Sequence, residues 1–410
     1  MAPLELISLL VCAAALFGWI SSRWLRLPIT IGTMLLTVAG SLALLAVSAY
    51  QPGLREWATR VVQQINFESL ILHGMLPLLL FAGAFLLDLE YLACEKLLVT
   101  VLSIAGTVLS AGLTAVLMFW ALSALGMHAS WLACLFFGAL ISPTDPIAVL
   151  EMLRRVGIPK NIQAQLAGES LFNDGVGAVL FLAILEASRG ATPTAWQVAA
   201  SLLLKAGGGL LLGVALAWVT SEFMRRVDAY QVEILFTISL ALGGYVLADL
   251  LHVSGPLEAV AAAIALRRFN LNHPRETIAH ESLDRFWEVI DEVQNAVLFV
   301  LLGLEVLVIP FDRGSFQSGA AAVVLVALVR LSVVALLVGC VRWIQRHHPS
   351  SILTLSWGGL RGGLSIALAL SVPAGDGRSW ILATTYCVVV FSIVVQGGSI
   401  DRFLRHRDGH

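Results

Sequence analysis

The chain has 410 residues, 58% of them hydrophobic and 13% charged, with a formal net charge of −2 and a mean hydropathy of +0.88. A soluble domain carries about a quarter charged residues, so this is a polytopic membrane protein, and its charge balance argues against nucleic acid, which calls for a basic face. The five cysteines, Cys12, Cys94, Cys134, Cys340 and Cys387, are scattered with no C-x-x-C pair and suggest neither a disulfide framework nor a thiolate metal site.

Windows of about 20 apolar residues predict spans at 4–21, 28–49, 68–87, 97–125, 130–151, 162–187, 195–221, 230–250, 253–269, 293–310, 317–344, 352–373 and 379–400, about 13 in all. The first is read as an uncleaved span. A secretory signal starts with a basic segment, and the first Arg here is Arg23, after the apolar run. Between spans, Gln51 to Phe67, with Trp57, and Pro274 to Glu292 read as interfacial. In the second stretch Leu283, Phe286, Trp287 and Ile290 recur at helical spacing among acids, and the expectation is a helix joining spans nine and ten. The spans leave no room for a soluble domain of any size.

Two spans carry helix breakers. The fifth holds Ser142-Pro143-Thr144-Asp145-Pro146, whose prolines remove backbone donors and clash with the preceding turn. The twelfth holds Trp357-Gly358-Gly359-Leu360-Arg361-Gly362-Gly363. Non-helical backbone at mid-membrane is tolerated only where protein or water satisfies it, and matching interruptions in two halves point to a transporter site. The predicted organisation is a single transmembrane domain: repeat one at 1–190, a linker span at 191–225 and an inverted repeat two at 226–410. Spans three and ten agree weakly, through a shared Gly in Leu80 to Leu86 and Leu301 to Val306.

Lys and Arg in alternate loops number 17 after odd spans against 5 after even ones. By the positive-inside rule the amino terminus is outside and the carboxyl terminus cytoplasmic.

The sixth span contains Gly168-Glu169-Ser170-Leu171-Phe172-Asn173-Asp174-Gly175, two carboxylates in an otherwise membrane-compatible run. A carboxylate at mid-membrane is costly and usually marks a proton or ion path. Glu169 and Asp174 lie about 140° apart on a helix, so one can pair with protein while the other meets an ion. Hard cations prefer oxygen ligands: the Asp174 carboxylate, the Thr144 and Ser170 hydroxyls, and carbonyls freed by the break. The bland reading of Asp174 is a carboxylate satisfied by Asn173 and nearby amides. Asp145 either caps a half-helix or tunes the site, and the two are compatible. In-span Arg330 and Arg361 each call for an anion. The pairing expected is Glu169 with Arg330, leaving Arg361 near the crossing of the broken helices; the alternative gives Glu169 to Arg361. Glu258 reads as a cap of the ninth span, Glu305 and Glu186 lie near span ends, and Lys205 can snorkel. None of the nine histidines sits mid-span, which disfavours an imidazole relay.

Together these three motifs resemble the monovalent cation:proton antiporters of the NhaP type, cation:proton antiporter family 1, over essentially the whole chain. The resemblance implies an all-α fold of crossed discontinuous helices in inverted repeats, and a secondary transporter rather than an enzyme. It implies that Asp174 binds sodium or a proton, with Thr144 and Ser170 as ligands and Asn173 supporting them. It also places Asp145 at the unwound crossing and pairs Glu169 with Arg330. Asn173 before Asp174 resembles the electroneutral branch. The resemblance further implies a homodimer with an elevator-like core. An acidic residue that many relatives carry after the third-span Phe is replaced here by Ala82, following Phe81, and the long cytoplasmic tails of some relatives are not expected.

The expected function is electroneutral exchange of cytoplasmic sodium, or lithium, for external protons, in the inner membrane and among its lipids, with no cofactor and a role in pH homeostasis. Potassium is the alternative cargo. A passive channel lacks a carbonyl filter repeat. An intramembrane hydrolase using Asp145 and Asp174 lacks both a Gly-x-Gly-Asp and a His-Glu-x-x-His signature.

Overall fold

The computed structural model describes residues 3–399 except 26, 49–52, 54–59, 61, 63–65, 147–148, 151–157, 189–194, 228, 272–276, 310–312, 345–349, 374 and 376. Most of the first interfacial stretch therefore lies outside the described residues.

The chain is all-helical. It runs through α1 (Pro3–Ile20), α2 (Ile29–Ser48), α3 (Leu76–Phe85), α4 (Leu89–Val101), α5 (Thr107–Ala124), α6 (Trp131–Ile141), α7 (Lys160–Ser188) and α8 (Ala195–Met224). The second half holds α9 (Tyr230–Leu250), α10 (Gly255–Leu271), α11 (Thr277–Glu305), α12 (Arg313–Ile344), α13 (Ser350–Gly358), α14 (Gly363–Leu370) and α15 (Arg378–Phe391). Among the described residues, eight helices are long and apolar enough to cross a membrane by length and composition, and the runs 70–85 and 131–141 are shorter apolar helices. π-helical turns at Ser21–Leu25, Leu70–Met75, Leu102–Gly106 and Ser392–Gly397 adjoin longer helices. Such turns re-aim side chains without ending a helix.

The predicted interfacial helix before span ten is not separate. It runs without a break into that span as α11, a helix of 29 residues. No Gly or Pro interrupts Thr277 to Glu305 except Gly303, so nothing in the backbone turns the chain. α11 has an acidic, open beginning and an apolar end, buried against α2.

α8 packs against α10, and α9 packs against α10 beside it. A second group joins α5, α6, α7, α12, α14 and α15 around Phe137, Phe181 and Ile381. Buried Phe81, Phe85 and Trp287, with half-buried Phe286, form an aromatic cluster where α3 meets α11. Trp287 donates from Nε1 to Thr237 Oγ1 at 3.1 Å, which satisfies its buried N–H.

Both predicted breaks are present. α6 ends at Ile141 before Pro143, and α13 and α14 are separated by residues 359–362. The two non-helical segments meet in an antiparallel bridge, where Asp145 N–H donates to Leu360 C=O at 2.8 Å. Each thus satisfies main-chain groups that the other's break set free.

Candidate functional site

The first break leaves α6 with a free end, and α7 runs past it. Side chains of α7 close the gap. Asn173, 1% exposed, accepts from Thr144 N–H at 3.2 Å and donates from Nδ2 to Thr144 Oγ1 at 2.8 Å. Ser170 Oγ donates to the Thr144 carbonyl. Gly177 lets Pro143 lie flat on α7, because a Cβ there would meet the ring carbons. Thr144 is thereby fixed through its amide, hydroxyl and carbonyl.

A cavity of about 640 Å³ opens against this arrangement, lined by Thr144, Asp145, Ser170 and Asp174. Asp174 is partly exposed there. Asn173 lies behind the wall, with both ends of its amide engaged by Thr144, so it orients the site rather than facing the cavity. Ser170 spends its only hydrogen on the Thr144 carbonyl, which leaves its oxygen lone pairs as acceptors. Gly362 abuts the Asp145 side chain, and a Cβ in its place would overlap the carboxylate.

One turn before Asp174, Glu169 points elsewhere. It forms a bidentate pair with Arg330 of α12, with Oε2 to Nη2 at 2.8 Å and Oε1 to Nη1 as the second contact. Arg330 also donates to the Leu355 carbonyl of α13 at 2.9 Å. Glu169 is 1% exposed and Arg330 5%, so the pair is buried and compensated.

Among the described residues Arg361 pairs with no carboxylate, contrary to the expectation that each in-span Arg meets an anion. It donates to the Pro143 carbonyl at 3.2 Å, because the proline break exposes a main-chain acceptor just where the second break delivers the guanidinium. The Arg361 amide donates to Ser392 Oγ at 2.9 Å, and Ser392 in turn donates to Gln396 Oε1 at 2.7 Å. The π turn after α15 supplies that support.

Other expectations change. Glu258 does not cap α10: Ser254 Oγ accepts the Leu257 N–H at 3.3 Å, and neither Glu258 carboxylate oxygen has a hydrogen-bond partner among the described residues. Lys205 does not merely snorkel; it donates to Glu186 at 2.5 Å. Sequence reasoning missed the part of the cavity lining supplied by α2 and α11, where Thr30, Asn295 and the acids of α11 lie. The i, i+4, i+7, i+11 spacing of Asp284, Glu288, Asp291 and Asn295 was the available signal.

Comparisons with known proteins agree over the full length. Residues 11–406 match the family described as sodium/hydrogen exchanger, transmembrane. The chain is 38% identical over 409 residues to the Na(+)/H(+) antiporter NhaP of Pseudomonas aeruginosa, covering 98% of this chain and 96% of that one. It is 32% identical to the Na(+)/H(+) antiporter NhaH of Halobacillus aidingensis, covering 84% and 85%. Its fold resembles the solved sodium proton antiporter MjNhaP1 from Methanocaldococcus jannaschii, with a TM-score of 0.77, 19% identity and complete coverage of both chains.

Proposed function

Because the chain belongs to the transmembrane sodium/hydrogen exchanger family, we propose that it exchanges cytoplasmic sodium for external protons, one for one, by alternating occupancy of Asp174. The observation that carries this reading is a partly exposed Asp174 on the cavity wall, one turn from a Glu169 already neutralised by Arg330. Asp174 is then the α7 carboxylate left to be shared, beside the Thr144 and Ser170 oxygens. Sodium meets the Asp174 carboxylate, the Thr144 hydroxyl and the Ser170 lone pairs, all hard oxygen ligands. A proton on Asp174 removes the charge that holds sodium, so the two exclude each other.

Asn173 is neutral, so each half-cycle moves a single charge and the exchange is electroneutral. Asp145 and Arg361 tie the crossed breaks together and carry them as one body. Alternating access follows if α6, α7 and the broken helices move against α2, α10 and α11, as an elevator within a homodimer. In this reading the repeats meet through α8, and the mouth of the cavity faces the cytoplasm of the inner-membrane protein, as the Lys and Arg asymmetry favours.

The test is collapse of an imposed pH gradient in proteoliposomes, followed with a pH-sensitive dye and titrated with sodium, lithium and potassium. Sodium- or lithium-driven proton flux that is unchanged by a clamped membrane potential is expected. Flux driven by potassium alone reassigns the cargo, and sodium current without proton movement overturns exchange.

A further inference from the structure

Asp284, Glu288, Asp291 and Asn295 of α11 all line the cavity. Their spacing sets them on one helical face, and 11 residues along a helix cover about 16 Å. Asp284 is half-buried beside Arg267, and from Glu288 inward burial deepens: Glu288 is exposed, Asp291 half-buried and Asn295 1% exposed. Beyond Asn295 the face turns apolar at Leu298, which packs on Gly363 at the second break. Asn295 is thus the last polar group on a track that begins among acids.

Two neutral oxygens mark the end of that track. Asn295 Oδ1 and Thr30 Oγ1 are both buried and have no hydrogen-bond partner among the described residues. Thr30 is 7% exposed, lines the same cavity, and belongs to α2, which packs along α11. Neither residue belongs to the helices that hold Asp174. At the mouth, Arg267 pairs with Asp284 at 2.8 Å and donates to the Phe85 carbonyl at 2.6 Å. Glu288, Asp291 and Glu292 add acidic charge along the same wall, so the mouth favours cations.

We propose that Asn295 and Thr30 form a second, neutral seat for the transported cation, reached along the acidic face of α11, where the ion rests partly hydrated before it passes to Asp174. Amide and hydroxyl oxygens are suitable ligands for a hard monovalent ion. Because they carry no charge, they hold it weakly enough to release it, which conduction between successive sites requires. The inference rests on the exchange reading above and adds a step at the α2 and α11 lining of the same cavity.

The seat is tested by sodium-dependent exchange in proteoliposomes and by 22Na+ binding to the purified full chain. Asn295→Leu should raise half-saturating sodium about tenfold, the loss expected for one hydrogen-bond-strength ligand to an ion, and by more than it changes the maximal rate. Thr30→Val should act in the same direction. Asn295→Asp, which restores an oxygen ligand, should return half-saturation to the parental value or below. A role in packing alone instead lowers the melting temperature and the maximal rate and leaves half-saturating sodium unchanged. In Asp174→Asn protein a weak 22Na+ signal should persist and vanish when Asn295→Leu is added. Unchanged half-saturation in Asn295→Leu, or no 22Na+ binding in Asp174→Asn protein, overturns the seat. Absence of exchange by the parent chain overturns the earlier reading, while the binding comparison still decides this one.

Discussion

At the scale of single residues, two acids five positions apart face different surroundings, and the proposed exchange gives them different tasks. Asp174 looks into the cavity, and Glu169 is spent on Arg330. Asp174→Asn should fold and reach the membrane yet lose cation-driven proton flux, and dye-monitored flux at the parental rate contradicts the assignment. Glu169→Ala should act on stability instead. Removing one partner strands a buried guanidinium, which costs about 3–5 kcal/mol, so a marked drop in melting temperature in detergent is expected; an unchanged melting temperature with lost sodium binding reverses the roles. The Glu169–Arg330 pair was legible because two in-span cations and one spare acid had to be reconciled. The binding of Arg361 to the Pro143 carbonyl was not, since a carbonyl acceptor carries no side-chain signature. Asn173 was legible as a neighbour of the site but not as a clamp, which depends on where Thr144 folds back.

At the scale of elements, the breaks at 142–146 and 359–362 were readable from proline and glycine placement, whereas the continuity of α11 was not. A hydropathy window separates an acidic stretch from an apolar one even when a single helix runs through both. The crossing itself depends on close approach. Gly362→Ala puts a methyl group where the Asp145 carboxylate lies, and initial exchange rates should fall about tenfold or more, as a small misplacement within an ion site can cost. Gly112→Ala, at a position with open space around it, serves as the control and should exchange at the parental rate.

For the whole molecule, the proposed competition at one carboxylate predicts the pH dependence. If protonation displaces sodium, half-saturating sodium should rise as the pH falls, approaching tenfold per unit where the proton dominates, and level off at alkaline pH. Flux measured over a grid of pH and sodium checks this. Two independent sites would give additive rather than competitive curves. The membrane character and the all-helical fold were plain from hydropathy. The α2 and α11 lining of the cavity was not, because Thr30 and Asn295 are 265 positions apart and only the packing of α2 on α11 brings them to one cavity.

The joint between Asp145 and Leu360 is made by main-chain atoms alone. Systematic alanine replacement passes over it silently, since every residue except proline offers the same amide. Only altering the peptide linkage itself, by placing an ester at position 145, unfastens it. A mutational survey of this protein will therefore underrate the very spot where its two halves are stitched together.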